Sequence, residues 1–180
     1  MRGNHAFSLV ELALAIALVG ILVALALPEY QNVVERARST ACMSNLRQIG
    51  IAVGTYLADN DNTFPFVEPN PADPVYDASY EAKPMLDELG PYGVTPQLLK
   101  CPSDLKAGNY FKTRGTSYQW RPIIDGELKV NPVVYGWRGG ARTVNPARMR
   151  LCMDFEPVHF NRMNRLYADG HVAGVLKPDP

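Results

Sequence analysis

An excess of charge of either sign is missing from this chain of 180 residues, in which 18 Lys and Arg balance 18 Asp and Glu and no basic block appears. That removes the electrostatic footprint of a nucleic-acid binder. Cysteine is scarce: Cys42, Cys101 and Cys152 lie far apart and form no Cys-x-x-Cys pair, which argues against a zinc knuckle or a thioredoxin-like motif. Catalytic signatures are missing too. There is no Gly-x-Ser-x-Gly, no phosphate-cradling glycine loop and no metallopeptidase helix, so no enzyme is expected. Glycine and proline, 14 and 15 residues, are rare before Phe64 and concentrated after it, which makes the distal part loop-rich and leaves the first sixty residues free to be helical. At 47% hydrophobic residues the chain supports one modest globular domain and is not a disordered tail.

What is present begins with a long apolar run. Over residues 7–27 only Ser8 and Glu11 are polar, and about 20 such residues are what a helix needs to cross a bilayer. Arg2 and the amino terminus precede the run, which favours keeping that end in the cytoplasm and exporting the rest, while Arg36 and Arg38 on the far side reduce the asymmetry. The helical pattern continues: Val34, Ala37, Ala41, Cys42, Leu46, Ile49, Val53 and Tyr56 recur at spacings of three and four, with Glu35, Arg36, Arg38, Arg47 and Gln48 on the other face. Pro28 is expected to kink or end the helix between the two halves. Asp59-Asn60-Asp61-Asn62 before Phe64-Pro65 is the stop signal, giving a helical region on the order of 80 Å long at 1.5 Å per residue. The expected segments are 7–28, an apolar helix; 29–62, its amphipathic continuation; and 63–180, a loop-rich head, with residues 1–6 before them.

Glu11 stands at the start of the apolar run. A charge at the centre of a membrane helix costs about 2.5–3.5 kcal/mol and less near the interface, so this carboxylate either has a functional partner or reaches back to the headgroups. No basic side chain of the intact chain lies within the span. Cutting before Phe7 would create a cationic amine one helical turn from Glu11, at the positive end of the helix dipole.

Those residues resemble the type IV prepilin family, whose signal is a short basic leader, a Gly or Ala, then Phe-Thr-Leu-x-Glu and an apolar helix. Met1 to Ala6 is similar to the leader and Phe7-Ser8-Leu9-Val10-Glu11 to the mature start, with Ala6 where Gly is commoner and Ser8 where Thr is commoner. The resemblance implies cleavage between Ala6 and Phe7 by a prepilin peptidase, N-methylation of Phe7, and pairing of Glu11 with the terminal amine of a neighbouring subunit. It implies a single-pass inner-membrane protein with an exported head, handed by an assembly platform into a type II secretion pseudopilus or type IV pilus-like filament of like or different subunits. Phe7, Glu11 and Pro28 would be its assembly residues.

A second resemblance covers the rest. "ACMSNLRQIGIAVGTYLADNDNTFP", "CPSD" at residues 101–104, and His159 followed by nine residues and Asp169-Gly170 look like a pilin-like group with a carboxy-terminal H-x(9)-D-G motif. Related members often carry glycines after the His, where this chain has Phe160-Asn161.

In the distal part, residues 118–121, 133–137 and 149–155 read as short strands between turns. "RLYADGHVAGVL" reads as a hairpin with Asp169-Gly170 the two central residues of a type I′ turn and Tyr167 opposite Val172. A sheet of these strands would cover the helix stripe, giving an α+β, pilin-like fold. An exported head permits one disulfide; Cys42 with Cys101 is the expected pair, although pairing is not readable from sequence and three buried thiols are the alternative. Asp154, Glu156 and Asp169, with Asn161, are calcium candidates by analogy with some secretion pseudopilins. His159 and His171 read as hydrogen-bonded loop histidines ahead of metal ligands. Tyr118, Trp120, Tyr135 and Trp137 read as core ahead of a ligand-stacking surface. Two competing readings are a secreted binding domain cut after Ala26, since Ala24-Leu25-Ala26 mimics a signal-peptidase site, and a tethered hydrolase using Asp154, His159 and Asp169.

Overall fold

The computed structural model describes residues 8–69, 82–121, 126, 132–135 and 141–176. Helix α1 covers Leu9–Asp59. Pro28 lies inside it and does not end it, because one missing N–H removes a single hydrogen bond from a long ladder. The helix stops where the acidic and amide residues begin: Asp61 and Asn62 adopt φ of 52° and 58°, a left-handed conformation that Asp and Asn tolerate. The Asn62 N–H returns to the Leu57 carbonyl at 2.8 Å, and the Asn60 side-chain amide donates to the Tyr56 carbonyl at 2.8 Å.

The chain divides into two compact units, Met1–Ala37 and Arg38–Pro180. In the first, the apolar side chains from Leu9 to Leu27 are exposed, and the helix is long and apolar enough to cross a membrane. Glu35 is buried, although the alternation of charges put it on the polar face; it sits seven residues before Cys42 and so on the same stripe.

In the second unit, Cys42, Leu46, Ile49, Ala52, Val53 and Leu57 of α1 are buried in one cluster with Phe64, Leu99, Tyr118, Trp120, Leu151 and Leu166. The main sheet is antiparallel, with strand order β1-β4-β5-β6, where β1 is Tyr118–Trp120, β4 Arg150–Asp154, β5 Arg162–Tyr167 and β6 Val172–Leu176. A separate antiparallel pair joins β2, Val133–Tyr135, to β3, Ala141–Thr143. Three short helices, α2 (Met85–Leu89), α3 (Asp104–Ala107) and α4 (Tyr110–Arg114), connect α1 to the sheet. The arrangement is α+β: a long amino-terminal helix followed by a small antiparallel sheet.

Tyr118 and Trp120 are fully buried, as core residues. Trp137 and the Tyr135 side chain lie outside the described residues. The final hairpin differs from the expected two-residue turn. Leu166 opposes Val172, the Tyr167 N–H donates to the His171 carbonyl, and the loop is Ala168-Asp169-Gly170 with only Gly170 left-handed, at φ 93°. A three-residue loop with glycine in its last position makes a bulged turn, which needs one positive φ where type I′ needs two.

Candidate functional site

At the start of α1, Ser8 and Glu11 cap the helix reciprocally. The Val10 N–H donates to Ser8 Oγ at 3.3 Å, and the Ser8 N–H donates to Glu11 Oε2 at 3.0 Å. This is a capping box, legible as Ser-x-x-Glu before an apolar run. It gives Glu11 a partner within the chain that a search for cations alone misses. Ala6 and Phe7 lie outside the described residues.

A buried polar centre lies within the second unit. Cys42 of α1 and Cys101, in the loop before α3, are joined in a disulfide. His159, in the loop between β4 and β5, packs its Nε2 3.3 Å from Cys101 Sγ and 4.0 Å from Asp154 Oδ2. All four residues are almost wholly buried. The Asn164 N–H donates to Asp154 Oδ2 at 2.8 Å, while Asp154 Oδ1 is buried without a hydrogen-bond partner. Burial pushes the Asp154 carboxyl up to about 7, against the opposing pull of the Asn164 N–H. Cys152 is a free buried thiol whose pKa burial raises well above its ordinary value.

The loops around this centre are tied down locally. Asp104 of the "CPSD" stretch accepts the N–H groups of Tyr110 and Phe111 at 3.1 and 2.9 Å, and the Cys101 N–H donates to Ser117 Oγ. Tyr110 donates its hydroxyl to Glu156 at 2.7 Å and stacks on Phe155, with Arg114 over both rings. After His159, Phe160 and Asn161 both take left-handed φ, 52° and 58°, and the Arg162 N–H returns to the His159 carbonyl at 2.9 Å. Glycines would suit that backbone best. This chain makes the turn with Phe and Asn in those positions.

The H-x(9)-D-G spacing thereby acquires a physical meaning, since β5 and its flanking turns fill the nine positions. His159 enters the buried centre at one end of β5, and Asp169-Gly170 form the hairpin turn at the other. That turn lies against α1: a Cβ placed on Gly50 would sit 2.8 Å from Leu166 Cδ1 and 3.6 Å from the Gly170 carbonyl. The spacing therefore measures a strand.

The three calcium candidates are not brought together. Asp154 bonds to Asn164, Glu156 to Tyr110, and Asp169 accepts from His171, whose Nδ1 lies 2.6 Å from Asp169 Oδ1. The hydrolase set fails in the same way, since Asp154 and His159 adjoin but Asp169 is held at the hairpin with His171. Burial pushes the Asp169 carboxyl up, yet the His171 backbone and ring donors outweigh it and hold it below its ordinary value. Among the described residues, the metal-capable donors that do converge are Cys42, Cys101 and His159. The Cys42–Cys101 pair is the expected one, whereas no local signal announces that His159 meets it, because the residues are scattered along the chain.

The amino terminus falls into a recognisable class: residues 1–27 match the family described as "Prokaryotic N-terminal methylation motif". More particularly, the chain is 42% identical over 53 residues to the type IV major fimbrial protein FimA of Dichelobacter nodosus, covering 29% of this chain and 34% of that protein. It is 35% identical over 63 residues to a probable minor fimbrial protein of the same organism, covering 35% and 40%, and 28% identical over 90 residues to a fimbrial protein of Pseudomonas aeruginosa, covering 50% and 57%. The chain thus spans about a third to somewhat over half of the length of these curated relatives. No solved structure matches it significantly.

Proposed function

We propose that this chain is a structural, non-catalytic pilin-like subunit. It is stored in the membrane through α1, trimmed between Ala6 and Phe7 by a prepilin peptidase, N-methylated on Phe7, and built into a type II secretion pseudopilus or type IV pilus-like filament. The observation that carries this reading is the conjunction of the methylation-motif match over residues 1–27 with a helix whose apolar side chains from Leu9 to Leu27 are exposed. Such a surface needs lipid or other helices around it, and a filament core of like helices supplies the second after the first is left behind.

In the filament, the Phe7 amine of one subunit neutralises Glu11 of a neighbour. A carboxylate has two oxygens and about four lone-pair sites, so the Ser8 cap on Oε2 does not exhaust it. An unpaired charge in an apolar core is penalised, which makes the pairing fix the register between subunits. The intact mass of the mature protein tests the processing: the expected amino terminus is methylated Phe7. An unprocessed Met1 or a terminus at Leu27 would overturn the reading, the latter in favour of a secreted soluble domain.

A further inference from the structure

The processing signal and the filament helix leave one feature of the head without a task. The three stretches that carry the H-x(9)-D-G resemblance meet at a single buried place: Cys42 from the helix, Cys101 from "CPSD", and His159 from the motif itself. Their donor atoms lie within 4.8 Å of one another, and all three residues are buried. Asp154 adjoins His159, with Oδ2 4.0 Å from its Nε2 and Oδ1 buried and unpartnered. A buried carboxylate oxygen without a donor is costly unless something binds it. A cavity of about 10 Å³, lined by Cys101, Asp104, Ser117 and Asp154 among others, opens beside it.

We propose that, when the Cys42–Cys101 bond is reduced, this centre binds one zinc-class divalent cation through Cys42 Sγ, Cys101 Sγ, His159 Nε2 and an Asp154 carboxylate oxygen. Two sulfurs, one imidazole and one carboxylate are the donor types such cations take in tetrahedral sites. Metal–ligand distances of about 2.3 Å to sulfur and 2.0–2.1 Å to nitrogen or oxygen put the sulfur–nitrogen edge of that tetrahedron near 3.6 Å and the nitrogen–oxygen edge near 3.4 Å. The sulfur–nitrogen separation here is 3.3 Å, a few tenths short of that edge, whereas Asp154 Oδ2 is 4.0 Å from His159 Nε2 and lies outside the 4.8 Å group formed by the other three donors, so its carboxylate must swing in by about an ångström or more to complete the set. The sulfurs must part to about 3.8 Å, which reduction permits by replacing a bond with a non-bonded contact.

The steps balance. A thiol or phosphine reductant gives two electrons to the disulfide and is itself oxidised, to a disulfide or, with oxygen from water, to a phosphine oxide, and the two protons so freed leave two thiols; the cation then takes both thiolates and releases their two protons to solvent. The oxidised centre is a covalent tie between α1 and the loop before α3, and the reduced centre is the same tie made through a metal.

The full chain in detergent, reduced with a phosphine under anaerobic conditions and freed of reductant, is titrated with Co²⁺ and then Zn²⁺. One equivalent of Co²⁺ should give thiolate-to-metal charge-transfer absorption and the intense visible bands of a tetrahedral centre, and Zn²⁺ should abolish both. The oxidised chain should give neither. His159→Ala and Asp154→Asn should each weaken binding about tenfold or more, by analogy with the cost of disturbing metal-site residues. Cys152→Ser should leave the titration unchanged.

Zinc should also slow alkylation of Cys42 and Cys101 in the reduced wild type relative to the metal-free reduced chain. No tetrahedral cobalt spectrum from the reduced wild type, or an equal one from Cys42→Ser, overturns the proposal. Where a variant loses its helical circular dichroism, the wild-type alkylation rates decide: no slowing by zinc overturns it as well.

Discussion

Glu11 carries two separable tasks, one visible within the chain and one proposed between chains. The cap needs an acceptor for the Ser8 N–H, which Gln supplies as well as Glu. The intersubunit pairing needs a negative charge, which only Glu supplies. Glu11→Gln is therefore expected to keep the helix start and membrane insertion while blocking incorporation into filaments, and Glu11→Ala to do the same while also losing the cap, worth about 1 kcal/mol. Shearing and sedimentation of filaments from cells carrying each variant reads this directly; normal filaments from Glu11→Gln would remove the charge from the mechanism.

Asp169, also at the residue scale, is an acid-side sensor of the hairpin. Its folded-state pKa lies below its ordinary value of 3.8, so its contribution is present above that value and is lost as pH falls through the lower folded one. Asp169→Asn should thus unfold earlier than wild type near neutral pH and lose that deficit below about pH 4, with a gap under about 1 kcal/mol because the pair is partly exposed. Urea midpoints measured at several pH values check it.

Two glycines of α1 show how the elements meet. A Cβ on Gly50 falls 2.8 Å from Cδ1 of Leu166, which is fully buried; a Cβ on Gly54 meets nothing within 4 Å. Ala in place of Gly gains about 1 kcal/mol of helix propensity at either position. At Gly50 that gain is set against overpacking of about 1–3 kcal/mol. Gly54→Ala should raise the melting temperature of the full chain and Gly50→Ala should lower it, as followed by circular dichroism. Equal shifts at the two positions would place the hairpin away from the helix.

The same contact separates what was legible from what was not. The helix was readable because an unbroken apolar run is followed by a stripe from Val34 to Tyr56 that repeats over about six turns, and its stop because Asp61 and Asn62 are residues that accept left-handed φ. The hairpin was readable in place but not in type, since Asp-Gly serves both a type I′ turn and a bulged three-residue loop. Strand β3, Ala141–Thr143, and the three short helices carry too few residues for a periodic signal. The buried centre was legible only in part: Cys42 with Cys101 was the expected pair and is the disulfide found, but Asp154 and His159 join it only through the fold, and neither their spacing nor their flanks announces it.

At the scale of the whole molecule, the disulfide is the feature whose removal has the largest expected effect. Cys42 and Cys101 are 59 residues apart, and closing a loop of that length in the unfolded chain removes entropy worth about 4 kcal/mol. The Cys42→Ser, Cys101→Ser double variant should therefore unfold at markedly lower urea concentration, with tryptophan fluorescence as a probe because Trp120 is fully buried among the core side chains. Reduced wild type should fall to a similar midpoint. The two differ in what zinc does next: a cation at a hundred times its dissociation constant restores about 2.7 kcal/mol to a native state that binds it. Reduced wild type should then recover most of its lost stability on addition of zinc, while the double serine variant, lacking both thiolates, should not move. Recovery in both, or in neither, would leave the disulfide as the sole means by which α1 and the loop before α3 are joined.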